Sequence, residues 1–501
     1  MAFQKNCPRI LLINPALTVP YLEHITIKTP LGLAYIASYL EKYGYKTKIL
    51  DCMAYYNEVK NIGKEGYRVG LNEKDIIKKI KKENPNIVGI SCAYTIYEKD
   101  ALRIASLVKK HSKAIVVFGG AHSSANFSKT IKKKLVDIIV KGEGETVFLN
   151  LVKKFGSKKF QSVPGTIQKI KNKIKINKPA EYIENLDEIP FPARHLLPME
   201  RYLNHPQNSI ANMRAPTTEI MSSRGCPFQC IFCSIHTVWG RKWRARSAKN
   251  VIDELEHLMK EYGIKEFRFF DDNITWDKKR IIEICDEIIK RKLNIRWDTP
   301  NGVAIATLNE EVLTKMKNAG YYRIVMGIES GSEKTLRFMR KPVVLKKARE
   351  IIKICNKLGI WTWSTFVIGF PEEKMEDIQK TIDFAKKSGL NFATFYVAQP
   401  YPGTEMYDIY EKQGLLKEGI MTNSGVTNTQ YDVKHFTAEQ LRELQKKAYT
   451  DFIRYRMIRY LNPLYFYREF LNRIKSFEDV KYVFRMFLNL VGREYSPIYK
   501  K

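Results

Sequence analysis

Three cysteines lie within eight consecutive positions of a chain that contains only eight cysteines in all. They are Cys226, Cys230 and Cys233, in the segment SRGCPFQCIFCSIH. Thiolates are soft ligands that select zinc, copper or iron–sulfur clusters. In a protein whose cysteines stay reduced, so tight a group indicates metal binding rather than disulfides. The chain must therefore fold so that one loop presents three sulfur ligands.

Two kinds of metal centre fit three thiolates. A structural zinc ion needs four protein ligands, and His236, three residues after Cys233, is a candidate for the fourth. Such zinc sites usually take their ligands from two separated pairs, which a single C-x3-C-x2-C loop does not provide. A four-iron cluster held by three cysteines instead leaves one iron open to an outside ligand.

Length and charge limit the class of protein. The 501 residues suffice for two or three domains. No apolar run approaches the roughly 18 residues of a membrane span, and the N-terminus lacks the apolar core of a signal peptide, so we expect a cytoplasmic protein. The net charge of +32 comes from lysines spread along nearly every helix, which favours a solvated basic surface over a nucleic-acid interface.

The first 155 residues alternate short apolar runs with helical patterns. Strands are predicted at 9–14, 47–51, 86–91, 114–120 and 136–145. Their nearly continuous apolar character is typical of a parallel sheet covered on both faces. The pattern predicts a doubly wound α/β domain, with its ligand beyond the carboxyl ends of the strands.

Residues 156–212 break this rhythm with a hairpin-like alternation and a proline-rich linker. Six further strands alternate with helices in residues 213–430, and this spacing predicts a complete or partial barrel. The cysteine segment directly follows the first of these strands, where barrel enzymes place their chemistry. Residues 431–501 are predicted to be helical, beginning with a capping box of Thr437 and Gln440.

The C-terminal extension, residues 431–501, is rich in arginine, tyrosine and phenylalanine. Apolar residues at helical spacing predict a helix packed on the barrel. A patch that contacts a membrane surface is the alternative that the basic and aromatic composition allows. The apolar residues at this spacing are Leu441, Leu444, Ala448, Phe452 and Tyr455.

The cysteine spacing, with the aromatic Phe232 before the last cysteine, resembles the signature of radical S-adenosylmethionine enzymes. The resemblance implies that Cys226, Cys230 and Cys233 bind a [4Fe–4S] cluster. The open iron would bind S-adenosylmethionine, with Phe232 beside it, and the cluster would cleave it to a 5′-deoxyadenosyl radical. It also implies an external low-potential electron donor, such as ferredoxin or flavodoxin.

Other segments of the predicted barrel resemble the S-adenosylmethionine site of that family. In FFDDN, Asp271 or Asp272 is expected to bind the methionine amino group, with a helix N-cap as the equally favoured alternative. Glu329 in GIESGS is expected near the ribose or the carboxylate, and a structural ion pair is its alternative. In FVIGFPEE, the backbone at Ile368 and Gly369 is expected to approach the adenine.

The first domain resembles the cobalamin-binding domain that is fused to many of these enzymes. The segments TPLGLAYIASYL, GISCAYT, VFGGAH and KGEGE carry this resemblance. Carboxylates suit a ligand fringed with amides, because they accept hydrogen bonds from them. The resemblance implies a corrin site formed by Leu31, Gly32, Ser91, Gly119, Gly120, Gly142, Glu143, Gly144 and Glu145.

The loop after the first strand departs from one form of this domain. Some members carry Asp-x-His-x-x-Gly there, and the histidine binds the cobalt. His24 lacks those neighbours, so we interpret His24 and His122 as ordinary histidines. We expect no histidine beneath the cobalt.

These resemblances imply an α/β protein with three parts. An N-terminal doubly wound, Rossmann-like cobalamin-binding domain precedes a partial (β/α) TIM-like radical S-adenosylmethionine barrel and a helical C-terminal extension. The implied activity is methylation of an unactivated carbon or phosphorus of an unidentified small molecule or lipid. Radical ring formation, as in anaerobic magnesium-protoporphyrin IX monomethyl ester cyclase, is an alternative with the same architecture.

Two alternatives belong to other classes, a zinc-stabilised binding module and a methylthiotransferase acting on RNA or protein. A methylthiotransferase holds a second cluster on three N-terminal cysteines, for which Cys7, Cys52 and Cys92 are candidates. We interpret these three as buried structural thiols, because their flanking residues do not resemble that family. Cys285 and Cys355 lie in helical patterns and are interpreted as core residues.

Overall fold

The computed structural model describes residues 7–20, 22, 27–171, 173–205, 212–417 and 429–495, so that His24 lies outside the described residues. The chain divides into two compact units. The first unit comprises Met1–His205, Ser234–Gly240 and Arg493–Lys501, and the second comprises Pro206–Cys233 and Arg241–Gly492.

The first unit is built on a seven-stranded sheet of order β10-β9-β8-β7-β6-β1-β3, and β2, β5 and β4 form a smaller antiparallel sheet. The strands are β1 (Ile10–Asn14), β2 (Leu17–Val19), β3 (Thr47–Asp51), β4 (Val59–Asn61), β5 (Tyr67–Val69), β6 (Ile87–Ser91), β7 (Ile115–Gly119), β8 (Ile138–Val140), β9 (Thr166–Ile170) and β10 (Lys173–Ile176). Strands β3, β1, β6, β7 and β8 are parallel.

Helices cover both faces of this sheet. The helices of this unit are α1 (Leu31–Lys42), α2 (Glu73–Glu83), α3 (Glu98–His111), α4 (Ala121–Ala125), α5 (Phe127–Thr130), α6 (Glu145–Lys153), α7 (Met199–Leu203) and α8 (His236–Trp239). Leu11 and Leu12 are consecutive in β1 and therefore point to opposite faces, yet both are fully buried. The predicted doubly wound α/β architecture is confirmed.

The predicted hairpin after residue 155 belongs to the same sheet. Strand β9 pairs antiparallel with β8, and β10 pairs antiparallel with β9. The four residues of β10 are exposed, as expected for the edge of a sheet. The first sheet therefore extends to Ile176.

The second unit contains a six-stranded sheet of order β11-β14-β15-β16-β17-β18, in which all neighbours are parallel. Its strands are β11 (Thr217–Ile220), β12 (Ser223–Arg224), β13 (Arg244–Ala245), β14 (Glu266–Phe269), β15 (Arg296–Val303), β16 (Tyr321–Glu329), β17 (Trp361–Ile368) and β18 (Phe392–Val397). Strands β12 and β13 form a separate antiparallel pair. Because β11 and β18 each have one partner among the described strands, the barrel is partial.

Helices separate the strands of this barrel and continue beyond it. They are α9 (Ala248–Tyr262), α10 (Lys278–Lys290), α11 (Glu310–Asn318), α12 (Glu333–Phe338), α13 (Leu345–Leu358), α14 (Met375–Lys387), α15 (Glu405–Lys412), α16 (Ala438–Tyr460), α17 (Pro463–Glu469) and α18 (Phe477–Tyr495). The predicted capping box is present, because Thr437 accepts from the Gln440 amide and Gln440 accepts from the Thr437 amide.

Helices α17 and α18 pack at the amino ends of the barrel strands. Arg473, between the two helices, donates from Nη1 to the carbonyl of Ile360, 2.8 Å away, just before β17. Tyr482 of α18 packs edge-to-face on Tyr322 of β16. In the part of the chain that is described, no helix combines the length and the apolarity that a bilayer crossing demands.

Candidate functional site

The three clustered cysteines lie on the loop after β12, beyond the carboxyl end of the first barrel strand. All eight cysteines are free thiols, and these three are half-buried. Cys52 and Cys92 are buried as predicted, whereas Cys7 is exposed, so the prediction of a buried thiol there is wrong. The amide of Ile231 donates to the carbonyl of Met339 at 3.1 Å, and the Cys230 thiol donates to the carbonyl of Arg340 at 3.8 Å. The segment that follows α12 therefore holds the cysteine loop in place.

A lysine lies beside these thiols. The Nζ atom of Lys341 is 3.3 Å from Glu329 Oε1 and 5.8 Å from the centre of the Phe232 ring. Burial lowers the pKa of Lys341, but the charges of Glu329 and Cys230 outweigh burial and raise it. Burial raises the pKa of the Cys230 thiol, and Lys341 opposes that increase.

Free, partly accessible thiols beside a cation form a donor set that fits an anionic iron–sulfur cluster. A cubane attaches each cysteine to a different iron, so its sulfur ligands stand further apart than the ligands of one ion. Within the described residues, no three His, Cys, Asp or Glu side chains form a site for a single metal ion.

The adjacent aspartates after β14 have different surroundings. Asp271 is buried and accepts three hydrogen bonds from Ser222 and Ser223, at 2.6 to 2.8 Å. Asp272 is partly exposed and accepts from the amide of Gly225 at 3.0 Å, next to the cysteine loop. Burial raises the pKa of both carboxyls, that of Asp272 to about 7. Asp271 thus supports β12, and Asp272 retains the accessible surface.

Glu329 ends β16 as one member of a mostly buried ion pair. Besides Lys341, it accepts a hydrogen bond from Thr365 Oγ1 at 3.1 Å. Its φ of 68° lies in the left-handed region, which is uncommon for residues other than glycine. A Cβ atom at Gly327 would lie only 2.8 Å from Glu329 Oε1, so the absence of a side chain there leaves room for the ion pair.

The backbone at the end of β17 is already hydrogen-bonded. The carbonyl of Ile368 accepts from the Ala398 amide at 2.9 Å, and the Gly369 amide donates to Glu373 Oε2 at 2.6 Å. Gly369 has a φ of 82°, and a Cβ atom there would lie 2.8 Å from Leu441 Cδ2. Burial raises the pKa of Glu373 to about 7.

In the first unit, three candidate corrin residues meet at one edge. Ser91 ends β6, Gly119 pairs with it at the end of β7, and Gly142 follows β8. All three are partly exposed, and a Cβ atom at Gly119 would meet nothing closer than 4.0 Å. Gly32 is also exposed, and a Cβ atom there would have no neighbour within 4 Å. This open backbone at the carboxyl edge fits a large flat ligand.

Other candidates at this edge have structural contacts. Gly120 has a φ of 109°, and a Cβ atom there would lie 2.8 Å from the carbonyl oxygen of Cys92. Glu143 is buried and accepts from the Ile183 amide at 3.1 Å. A Cβ atom at Gly144 would lie 2.6 Å from Ile36 Cδ1, so this glycine allows α1 to pack closely.

The remaining candidates, Leu31 and Glu145, are buried at the starts of α1 and α6. His122 is buried in α4, where its Nδ1 lies 3.1 Å from Thr95 Oγ1 and its Nε2 lies 3.4 Å from Glu98. Burial and these contacts are those of an ordinary core histidine.

Sequence reasoning missed Lys341 and Glu373. Lys341 is one of 85 lysines and arginines, and no motif distinguishes it. Glu373 does lie within the FVIGFPEE segment. Its position four residues after Gly369 was the only signal in the sequence that its carboxylate could accept from the backbone of that turn.

Two family models match the chain. The B12 binding domain matches residues 26–152, and the radical SAM superfamily matches residues 220–385. An uncharacterized methyltransferase of Pyrococcus horikoshii is 36% identical, covering 89% of this chain and 92% of its own. The cytidylyl-2-hydroxyethylphosphonate methyltransferase of Streptomyces wedmorensis is 32% identical, covering 89% and 90%. An anaerobic magnesium-protoporphyrin IX monomethyl ester cyclase of Rubrivivax gelatinosus is 30% identical, covering 80% and 69%.

Among solved structures, the radical S-adenosylmethionine methyltransferase TsrM from Kitasatospora setae has the same fold. It superposes with a TM-score of 0.70 at 16% identity and covers 97% of this chain and 99% of its own. A B12-binding domain joined to a radical SAM domain defines the class. Within it, the chain belongs to the cobalamin-dependent radical S-adenosylmethionine methyltransferase family. Its cofactors are a [4Fe–4S] cluster, S-adenosylmethionine and cobalamin, as the sequence predicted.

Proposed function

We propose that this enzyme methylates an unactivated carbon or phosphorus of a small molecule. One observation carries the proposal: the two relatives that align over about nine-tenths of both chains are methyltransferases. The bound cofactors would supply a 5′-deoxyadenosyl radical and a methyl group on cobalt. The task of this chain is to hold them and to keep water away from the reacting atoms.

Cys226, Cys230 and Cys233 are proposed to bind three irons of the cluster. Lys341 would offset part of the negative charge that the thiolates bring, because its ammonium group is already paired with Glu329 beside them. Phe232, within reach of the Lys341 ammonium, would form an apolar wall of the same site.

Asp272 is proposed to bind the methionine amino group, because the oxygens of Asp271 are engaged by two serines. Glu329 would position Lys341. The peptide at Ile368 and Gly369 would present its surface to the adenine, with Glu373 as a positioning residue that fixes this turn.

In the first unit, the proposed corrin site is the open edge at Gly32, Ser91, Gly119 and Gly142. Gly120, Glu143 and Gly144 would act indirectly, because each has a close packing or hydrogen-bonding contact within the protein.

Enzymes of this superfamily generally need an external reductant and a small-molecule substrate. Ferredoxin or flavodoxin as the donor, a lipid as the substrate and contact of the C-terminal extension with a membrane are proposals. The eight free thiols support a reducing compartment such as the cytoplasm.

The test is a product analysis. A metabolite comparison of a strain lacking the gene would identify a compound that has lost a methyl group. Anaerobic enzyme with cobalamin and a reductant should methylate the precursor, and form S-adenosylhomocysteine and 5′-deoxyadenosine in equal amounts. Cys230→Ala should form neither the methylated product nor 5′-deoxyadenosine.

Ring formation of the cyclase type is the second candidate, supported by the match to the Rubrivivax cyclase. It would produce 5′-deoxyadenosine and a cyclised product without S-adenosylhomocysteine. That outcome would contradict methyl transfer while leaving the cofactor assignments intact.

A further inference from the structure

The exposed apolar side chains of this protein are concentrated near its C-terminus. Of the 20 large hydrophobic side chains that are exposed among the described residues, ten lie in a span of 32 residues. We name this set the apolar stripe. It consists of Ile453, Met457, Ile458, Leu461, Leu464, Tyr467, Leu471, Phe477, Val480 and Phe484.

The spacing of the stripe follows the helical period. In α16, positions 453 and 457 are four residues apart and share one face, and Leu461, the C-cap residue of that helix, follows at the same spacing. In α18, positions 477, 480 and 484 are spaced by three and four residues and do the same. The most exposed members, Leu461 at 81%, Phe477 at 71% and Leu464 at 70%, surround the turns that join the three helices.

The opposite side of this segment is anchored to the barrel, so the exposure does not reflect a detached chain end. In α16, Leu441, Ala448 and Phe452 are buried. Arg473 is buried and donates to the Ile360 carbonyl and to Asn391 Oδ1 at 2.8 and 2.7 Å.

In α18, the Glu478 carboxylate accepts from Arg214 Nε at 2.9 Å, just before the first barrel strand. Tyr482 is fully buried against the rings of Tyr322 and Trp361. Helices α16 and α18 therefore each have one face on protein and one face on solvent.

The charges around the stripe are mainly positive. Arg454, Arg459 and Lys481 are exposed between its members. The carboxylates of the same segment are engaged by other groups: Glu478 pairs with Arg214, Glu469 lies 3.6 Å from Arg473, and Asp479 accepts from the amides of Lys475 and Ser476. Apolar side chains interspersed with cations complement a surface that carries negative charges outside an apolar interior.

We propose that residues 453–484 dock this enzyme on an anionic lipid bilayer. Leu461, Leu464 and Phe477 would insert among the acyl chains near the headgroups, while Arg454 and Lys481 would pair with lipid phosphates. The contact is peripheral, because the helices remain anchored to the barrel on their other face. The proposal holds whichever atom the enzyme methylates.

Binding of the full-length holoenzyme to vesicles tests the proposal. The wild type should sediment with phosphatidylcholine vesicles that contain phosphatidylglycerol, and far less with phosphatidylcholine alone. Leu461→Glu and Phe477→Glu should each weaken the apparent affinity about tenfold, because a carboxylate replaces a side chain that would enter the interface. The matched control is Val344→Glu, at a residue 67% exposed outside this segment, and it should bind as the wild type does.

Equal binding of Leu461→Glu and the wild type would overturn the proposal. A second result would also overturn it: the wild type does not bind anionic vesicles but forms dimers, and Leu461→Glu dissociates these dimers. The stripe would then join two copies of the chain. Iron content and circular dichroism of each variant separate loss of binding from loss of fold. Substitutions are preferable to truncation, because removing α18 would expose Tyr322 and Trp361 at the barrel base.

Discussion

The two adjacent aspartates of the FFDDN motif have different structural roles. Asp271 accepts from Ser222 and Ser223 and holds β12, whereas Asp272 touches the turn before Cys226. From the sequence alone, either carboxyl group could cap a helix or bind a ligand. Only the direction of each side chain in the structure distinguishes the two roles. This explains why the sequence left the choice open.

Exchanging each aspartate for asparagine should separate stability from cofactor binding. Asp271→Asn should lower the free energy of unfolding by about 2 kcal/mol, because an NH2 donor replaces one of the two oxygens that accept from Ser222 and Ser223. Asp272→Asn should cost less stability but weaken S-adenosylmethionine binding. Urea unfolding and equilibrium dialysis measure the two effects, and the reverse pattern would contradict the assignment.

Glu373 should make the stability of the protein depend on pH. Burial raises its pKa from 4.5 to about 7, so between these values the folded protein keeps a proton that the unfolded chain has released. This contribution is complete below about pH 4.5 and is lost as the pH rises through 7, by at most about 3 kcal/mol.

The variant Glu373→Gln should remove this part of the pH dependence in urea unfolding followed from pH 5 to pH 8. Glu372→Gln is the matched control, because Glu372 is exposed and its carboxylate pairs with Lys434. If Glu373→Gln and the wild type lose stability in parallel over this range, the carboxyl titrates in the ordinary range instead.

Helix α18 packs against the amino ends of the barrel strands through one buried side chain, that of Tyr482. Tyr482 packs on Tyr322 and Trp361, and its hydroxyl accepts from Arg323 Nη1 at 3.2 Å. Tyr482→Ala should lower the free energy of unfolding by about 3–5 kcal/mol. Phe484→Ala, two positions further on and exposed, should change it by less than about 0.5 kcal/mol. Similar losses in the two variants would mean that α18 does not pack as described.

The sequence pattern predicted which segments form strands and helices better than it predicted which strands pair with each other. Apolar runs bounded by glycine, proline and polar residues marked the strands of both sheets, because burial on two faces leaves a continuous apolar signature. The hairpin of β9 and β10 was foreseen, but its pairing with β8 was not, since edge pairing leaves no local signal. Lys341 likewise has no local signal, because its pairing with Glu329, twelve residues earlier, depends on how the chain between them folds back.

At the scale of the whole molecule, each unit displays its candidate cofactor residues at the carboxyl edge of a parallel sheet. This location could be predicted because the motifs directly follow strands, and the carboxyl ends of parallel strands lie at the same edge of a sheet. Nothing in the sequence indicated that Glu143 binds the Ile183 amide or that Gly144 makes room for Ile36, and direct corrin contact of these two residues stays a prediction. Such contacts bring together segments that are far apart in the sequence.

The central claim is that one chain carries an open iron–sulfur cluster on three cysteines and one corrin. Its most direct test is the iron, sulfide, zinc and cobalamin content of the anaerobically reconstituted protein and of Cys230→Ala. We expect four irons, four sulfides and one cobalamin per wild-type chain, and loss of iron with retention of cobalamin in the variant. A single zinc ion, or eight irons without cobalamin, would contradict the account.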